Sequence, residues 1–343
     1  MGTEKEITIY DIAEQLDISA ATVSRALKNH PAVNQKTKKR IHDLAEALGY
    51  RSNKFASNLR QQKTYTLGVI VPRLNSLFMS SVIAGIEKVS NLKNYNLIIS
   101  QSLEQESREK ANATTMFNNR VDGLIVSLAA DTKDYDHFDV FLNRQIPLVF
   151  FDRVPTEINA TKVLIDNKKS GYLAAKHLVD QGCRYVMHIT GNLGRNVYQD
   201  RFEGYKKALE EAGLTFEDEM LMTNDLSEEA IQTSIETILK QERLPDGLFI
   251  SNDTSAAFAL SILKERGLRV PEDIAIVGFN NDLISRVTEP AITTINYPGT
   301  EMGESIARIL INQLEEQGDL SITSKVMLDT ALIERGSSLK NKK

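Results

Sequence analysis

Apolar residues fall into short helical stripes at the start of this chain and into compact strand-like runs further on. In "TIYDIAEQLDISAATVSRAL", Ile12, Ala13 and Leu16 form one stripe, and Val23, Ala26 and Leu27 form the next. That spacing follows the 3.6-residue period of amphipathic helices. "DIS" separates the two. Thr8, three residues before Asp11, and Ser19, before the second stripe, read as N-caps whose hydroxyls accept from free backbone N–H groups. Asn34 is placed to cap a third helix, in which Ile41, Leu44, Ala45 and Leu48 recur at i, i+3, i+4 and i+7, with Gly49 as its stop. Three short helices with a tight turn between the first two predict a helix-turn-helix over residues 1–51.

From Thr66 the pattern changes. "TLGVIVP", "NLIIS", "DGLIVS" and "PLVFF" are apolar runs of strand length, with helical stretches such as "SSVIAGIEKVSNLKNY" between them. Alternating strands and helices predict a parallel sheet covered on both faces. The pattern begins again after "KVLIDNKKSGYLAAKHLVDQG", with "YVMHIT", "GLFIS" and "IAIVGF" as strands. An internal echo supports two similar lobes: "VDGLIVS" (121–127) against "PDGLFIS" (245–251), and "IPLVFFDR" (146–153) against "IAIVGFNN" (274–281). The expected fold is an N-terminal all-α helix-turn-helix headpiece followed by an α/β unit of two doubly wound parallel-sheet lobes. Such a clamshell binds ligands at the carboxyl ends of its strands.

Charge sharpens this division. The whole chain carries a net charge of -5, yet residues 18–63 hold ten lysines and arginines against only Asp43 and Glu46. A basic front end on an acidic body is the asymmetry of a nucleic-acid module joined to something else. In a helix-turn-helix the second helix lies in the major groove. Ala20, Ala21, Thr22, Ser24 and Arg25 are then small or hydrogen-bonding because they face a groove. Arg25 suits bidentate reading of guanine, while Ser19, Thr22 and the start of "QKTKKR" suit phosphate. The alternative is a helical hairpin with a solvated polar face. "GYRSNKFASNLRQQKT" reads as a basic linker, or as a short helix "KFASNL" that orders on DNA with Leu59 as a minor-groove wedge. The acidic run "LEEAGLTFEDEM" reads as a solvated face. No apolar run reaches membrane length, no apolar leader opens the chain, and Cys183 is a lone cysteine. The five histidines show no metal-ligand spacing. A cytoplasmic protein without membrane, metal or cofactor is expected.

The order of these landmarks resembles the LacI/GalR family of bacterial transcription regulators, over essentially the whole chain. The carriers are "ITIYDIAEQLDISAATVSRALKN" and "RIHDLAEALGYRSNKFASNLR" in front, then "VDGLIVS", "IPLVFFDR", "HLVDQGCRYVMHITG", "DRFEGY", "GLRVPEDIAIVGFN", "PAITTI" and "LIERGSS". The resemblance implies a homodimeric repressor that binds a pseudo-palindromic operator in double-stranded DNA and answers allosterically to a small sugar-like effector. It places the headpiece in residues 1–51, a hinge helix and linker in 52–65, and the two lobes in 66–343. The N-lobe would take about 66–165 and 297–324, and the C-lobe about 166–296 and 325–343. Tyr10, Ser19, Ala20, Ala21, Thr22, Ser24, Arg25, Thr37, Tyr50, Asn53, Ala56 and Leu59 fall on DNA-contact positions of the pattern. Ser52 stands where the hinge usually has proline, which loosens the turn. Effector positions are Phe78, Met79, Asp152, Arg153, Arg195, Val197, Arg201, Leu226, Asn252, Asp253, Asn280 and Tyr297.

Two departures bear on the ligand. Asn280 replaces the aspartate of "GFD", and Leu226 stands where an aromatic platform is common. With Arg153, Arg195 and Arg201 facing one space, a cationic pocket for a sugar acid or sugar phosphate is expected. The competing reading pairs Arg153 and Arg195 with Asp152 or Asp200. Phe78 and Tyr198 are available to stack on a ring. The tail "ERGSSLKNKK" has no heptad repeat, so a dimer is expected rather than a larger assembly. Two rival functions are an enzyme and a solute-binding protein. For an enzyme there is no GxGxxG after a strand, no P-loop and no nucleophile elbow. A transporter's solute-binding protein would have no use for a basic helix-turn-helix.

Overall fold

The computed structural model describes residues 7–50, 63–315 and 323–340. Two compact units result, Met1–Thr64 and Tyr65–Lys343.

The first unit contains α1 (Ile9–Leu16), α2 (Ala20–Leu27) and α3 (Gln35–Ala47). Each helix starts where a short polar side chain can accept from the backbone. Thr8 and Asp11 form a reciprocal capping box, Ser19 accepts from the N–H of Thr22 at 3.2 Å, and Asn34 accepts from the N–H of Thr37 at 2.8 Å. Asp17 ends α1 in the left-handed region (φ 51°), a conformation that aspartate tolerates better than most residues, so the chain reverses into α2. Ile12, Ala13, Val23, Ala26, Val33, Ile41 and Ala45 make the core. With so small a core, each fully buried aliphatic side chain, worth about 1.5–3 kcal/mol, is a large share of this unit's stability.

The second unit is built from two six-stranded sheets. Its first half runs β1 (Thr66–Val71), α4 (Leu77–Leu92), β2 (Asn96–Gln101), α5 (Glu106–Asn118), β3 (Gly123–Val126), α6 (Asp139–Asn143), β4 (Leu148–Phe151) and β5 (Thr161–Ile165). The second half runs α7 (Asn167–Asp180), β6 (Val186–Thr190), α8 (Asn196–Glu211), β7 (Leu221–Thr223), α9 (Glu228–Ile238), β8 (Gly247–Ile250), α10 (Asp253–Glu265), β9 (Ala275–Asn280), α11 (Ile284–Val287) and β10 (Thr293–Asn296). The chain then returns through α12 (Gly299–Glu315) to β11 (Lys325–Leu328) and β12 (Ala331–Ile333). The sheet orders are β11-β5-β4-β3-β1-β2 and β12-β10-β9-β8-β6-β7. All pairs are parallel except β10 with β12.

β11 pairs with β5 in the first sheet, so the last crossing between lobes falls between Leu328 and Ala331, later than the expected 324/325. A strand of four residues with alternating burial carries too little pattern to reveal which sheet it joins. The acidic run is also only partly a solvated face. Leu209 and Met220 are buried, and Phe216 packs edge-on against Phe202 at 5.4 Å.

Each lobe holds one pair of helices at very short range. Gly85 of α4 faces the backbone of Thr300 and Glu304 in α12, and Gly204 of α8 faces that of Lys168 and Tyr172 in α7. A β-carbon at either place would strike the partner's main chain, so these helices can approach only at glycine. The strands between them are apolar throughout because both sheet faces are covered: "GLIV", "LVFF" and "GLFI" are wholly buried.

Candidate DNA-reading surface and ligand cavity

The face of α2 opposite Val23 and Ala26 carries the expected reading residues. Ser19, Ala21 and Arg25 are exposed, and Ala20, Thr22 and Ser24 are half-buried. Tyr10 on α1 is 68% exposed and so open to contact. Thr37 lies in the first turn of α3, where free backbone N–H groups favour phosphate. Tyr50 packs at the edge of the headpiece core. Arg25, Lys36, Lys39 and Arg40 are exposed and make no ion pair among the described residues. Lys38 departs from the expectation for "QKTKKR". It is buried, and its ammonium donates to the carbonyl of Asn29 at 3.0 Å, satisfying a free carbonyl just past the end of α2. Asn53, Ala56 and Leu59 lie outside the described residues.

In the second unit, loops at the carboxyl ends of both sheets enclose a cavity of about 840 Å³. Phe78, Met79, Asp152, Arg153, Val197, Arg201, Leu226, Asn252, Asn280 and Tyr297 all line it. Three of these, Asp152 (φ 57°), Leu226 (φ 59°) and Asn280 (φ 111°), hold left-handed backbone, which non-glycine residues adopt only where the surroundings enforce it. Phe78 stacks on Tyr297 with ring centroids 4.1 Å apart. The Tyr297 hydroxyl donates to the Asp152 carboxylate at 2.9 Å, and burial pushes the Asp152 pKa up against the pull of Arg153 and Arg201. Arg201 lies over the ring of Phe279 at 3.5 Å and donates to Asn167 at 2.9 Å and to the carbonyl of Ser251 at 3.1 Å. It is thereby held rigid, with Nε and Nη1 of its guanidinium partnered.

Two expected ligand residues do not reach the cavity. Arg195 turns away and donates to the carbonyl of Thr132. It belongs to a clasp in which the start of the second lobe's α8 grips the first lobe. Asn192 donates to the carbonyl of Ala130 at 2.9 Å, Asn196 exchanges two 3.0 Å bonds with Val154 N–H and Asp152 C=O, and Arg153 donates to the Tyr198 hydroxyl at 3.0 Å. Asp253 lies beneath the wall. Its carboxyl accepts from the Thr294 hydroxyl at 2.7 Å and from the N–H of Asp282 at 2.8 Å, fixing the loop that carries Asn280. Burial pushes its pKa up to about 8, and that of Asp282, on the cavity wall, to about 6.

The pocket is not cationic. Its walls hold the guanidiniums of Arg73, Arg153 and Arg201 against the carboxyls of Glu104, Asp152, Asp225, Glu228 and Asp282. Arg153 is indeed paired, but its partner is Glu104 at 2.6 Å rather than Asp152 or Asp200. Sequence reasoning missed Glu104, Arg73 and Asp282. Nothing local marks Glu104, which is brought to Arg153 from 49 residues away by the strand order.

One constellation resembles hydrolase chemistry. His177 Nε2 and the Ser338 hydroxyl are 2.7 Å apart, with Glu334 at 3.9 Å from Nδ1. Ser338 has no exposed surface and its hydroxyl donates to Thr293, so no substrate carbonyl can reach it. The cluster ties the C-terminal segment to the second sheet. His188 is likewise structural, stacked on Phe249 at 4.3 Å and pulled by burial to a pKa of about 3.

Residues 8–53 match the description "Bacterial regulatory proteins, lacI family", and residues 175–338 match "Periplasmic binding protein-like domain". The ribose operon repressor of Haemophilus influenzae is 31% identical, over 91% of this chain and 93% of its own length. The chain belongs to the LacI family. Catabolite control protein A of Priestia megaterium, a further relative, is 29% identical over 91% of this chain and 93% of its own length. The lac repressor dimer bound to operator and the anti-inducer ONPF shares the fold, with a TM-score of 0.86, 23% identity and coverage of 98% of this chain and 100% of that one. A LacI-type regulator of Alkaliphilus metalliredigens complexed with D-xylulofuranose aligns with a TM-score of 0.69 and 27% identity, over 80% of this chain and 99% of its own. This family member is a DNA-binding transcriptional repressor, not an enzyme. Among its described residues no helix is long and apolar enough to cross a membrane.

Proposed function

We propose that this repressor binds its operator as a homodimer in the cytoplasm and that a neutral, polyhydroxylated, sugar-like molecule in the interlobe cavity controls its affinity. The observation that carries the reading is the cavity itself. Carboxyls, amides and a rigid guanidinium converge there with the Phe78–Tyr297 stack, the mixture a sugar's hydroxyls and apolar ring face require. The excess of carboxyl groups supports an uncharged ligand. Tyr10, Ser19, Ala20, Ala21, Thr22, Ser24, Arg25, Thr37 and Tyr50 would meet DNA, joined by Asn53, Ala56 and Leu59. Ligand that favours one arrangement of the two lobes over another would shift operator affinity by about 1–3 kcal/mol of coupling. The test is a binding assay of the full chain on duplexes selected from genomic DNA, repeated with a panel of neutral mono- and disaccharides. Specific binding that weakens steeply with salt and responds to a sugar supports the reading. Equal affinity for selected and scrambled duplexes, or no response to any sugar, contradicts it.

A further inference from the structure

We propose that Glu104 sets the charge class of the ligand: it neutralises Arg153 from inside the cavity, so the site takes an uncharged polyol and excludes sugar phosphates and sugar acids. This rests on the reading that the cavity holds the effector.

The geometry shows a carboxylate placed for that task. Glu104 Oε2 accepts from Arg153 Nη1 at 2.6 Å and from the N–H of Ala130 at 2.9 Å, while Oε1 lies 3.8 Å from Arg73 Nε. One side chain therefore stands between two of the cavity's three guanidiniums. The backbone that carries it is unusual. Leu103 (φ 51°) and Glu104 (φ 65°) are consecutive non-glycine residues in the left-handed region. Neither is a residue type that favours such a turn, so the surroundings must hold it.

Arg73 lies against the same Glu104 carboxylate, at 3.8 Å. Arg201 is engaged by Asn167, Ser251 and the face of Phe279. An incoming anion would meet Glu104 and Asp152 on the same wall and would have to displace a short, charge-assisted bond to reach Arg153. A neutral sugar faces neither cost, because both carboxylates can accept from its hydroxyls. Glutamine at position 104 keeps the side-chain length and an acceptor for Ala130, but removes the counter-charge. Arg153, only 11% exposed at its side chain, would then be a poorly compensated cation on the cavity wall.

The experiment is calorimetric titration of the full chain with sodium sulfate and with glucose 6-phosphate at constant ionic strength. It uses wild type, Glu104→Gln and the double variant Glu104→Gln/Arg153→Met, each checked for cooperative thermal unfolding. Wild type should show no saturable binding of either anion. Glu104→Gln should gain binding tighter by ~10-fold or more than any wild-type trace, and the double variant should lose that gain. Glu104→Ala removes the same charge by truncation and gives the same reading if Glu104→Gln does not fold. Saturable wild-type binding of glucose 6-phosphate overturns the proposal. So does a folded charge-removal variant that gains nothing, or a gain that survives loss of Arg153. Failure of the effector reading shows separately, as neutral sugars that bind without changing operator affinity.

Discussion

The headpiece and the cavity both use arginine, in opposite states. Arg25, Lys36, Lys39 and Arg40 stand in solvent without an ion-pair partner among the described residues. On the cavity wall Arg153 and Arg201 are buried and engaged, by Glu104 and by the Phe279 ring with its neighbours, and Arg195 beside the cavity is held by the Thr132 carbonyl. A solvated, unpaired cation is free to replace a counterion on a polyanion, at small cost. A buried, partnered one is already neutralised or held, and serves as a rigid hydrogen-bonding edge. The same residue type is therefore free in one unit and engaged in the other.

The comparison can be broken most severely at Arg25. Arg25→Ala should cost about 1–3 kcal/mol for each half-site it reads, and so about twice that for a dimer on a palindrome. Competition binding should show operator and scrambled duplexes drawing together, while binding of neutral sugars is unchanged. Next in size is the clasp between the lobes. Asn196→Ala removes two hydrogen bonds, worth about 1–3 kcal/mol together. It should change the ratio of operator affinities measured with and without sugar, and leave DNA sequence preference alone. The two adjacent lysines give a finer contrast. Lys39→Ala should lower the slope of log affinity against log salt by about one unit per half-site. Lys38→Met should instead lower the headpiece's unfolding midpoint, because that ammonium serves the Asn29 carbonyl.

A pH profile gives a further contrast. Asp253 and Asp282 have folded pKa values raised to about 8 and about 6 by burial, so the folded state holds protons that the unfolded chain releases near 4. Their contribution to stability is full in acid and is lost as pH rises through those values. Above the range in which unfolded His188 charges, the second unit's unfolding midpoint should therefore fall between pH 7 and pH 9, and Asp253→Asn should flatten that fall. Asparagine can keep both contacts, accepting from Asp282 N–H and donating to the Thr294 hydroxyl. A midpoint that rises over this range would contradict the assignment.

How much was legible follows from the distance over which each signal acts. Helix caps at Thr8, Ser19 and Asn34 are three-residue events, and the structure forms each of them. The buried strands announced themselves by runs such as "PLVFF". Ten of the expected cavity residues reach the wall because they follow strand ends, where a doubly wound sheet gathers its loops. What sequence could not carry is pairing. Whether Arg153 is free or neutralised depends on Glu104, and whether Lys38 meets water or a carbonyl depends on the packing of α3 against the end of α2. Arg195 and Asp253 are similar cases. Both sit beside the cavity in the chain, and both turn their charge into the framework that shapes it. β7 and β10, three or four residues of mixed polarity, carry almost no period, so the sequence does not predict them as strands.

The most direct test reads both units at once. Fluorescence anisotropy of a labelled operator, held at constant ionic strength, would be followed while neutral sugars and the matching sugar 6-phosphates are added to the wild-type protein. A neutral sugar that changes operator affinity by about 5- to 150-fold, with its phosphate inert, is the predicted result; a response to the phosphate alone would contradict it.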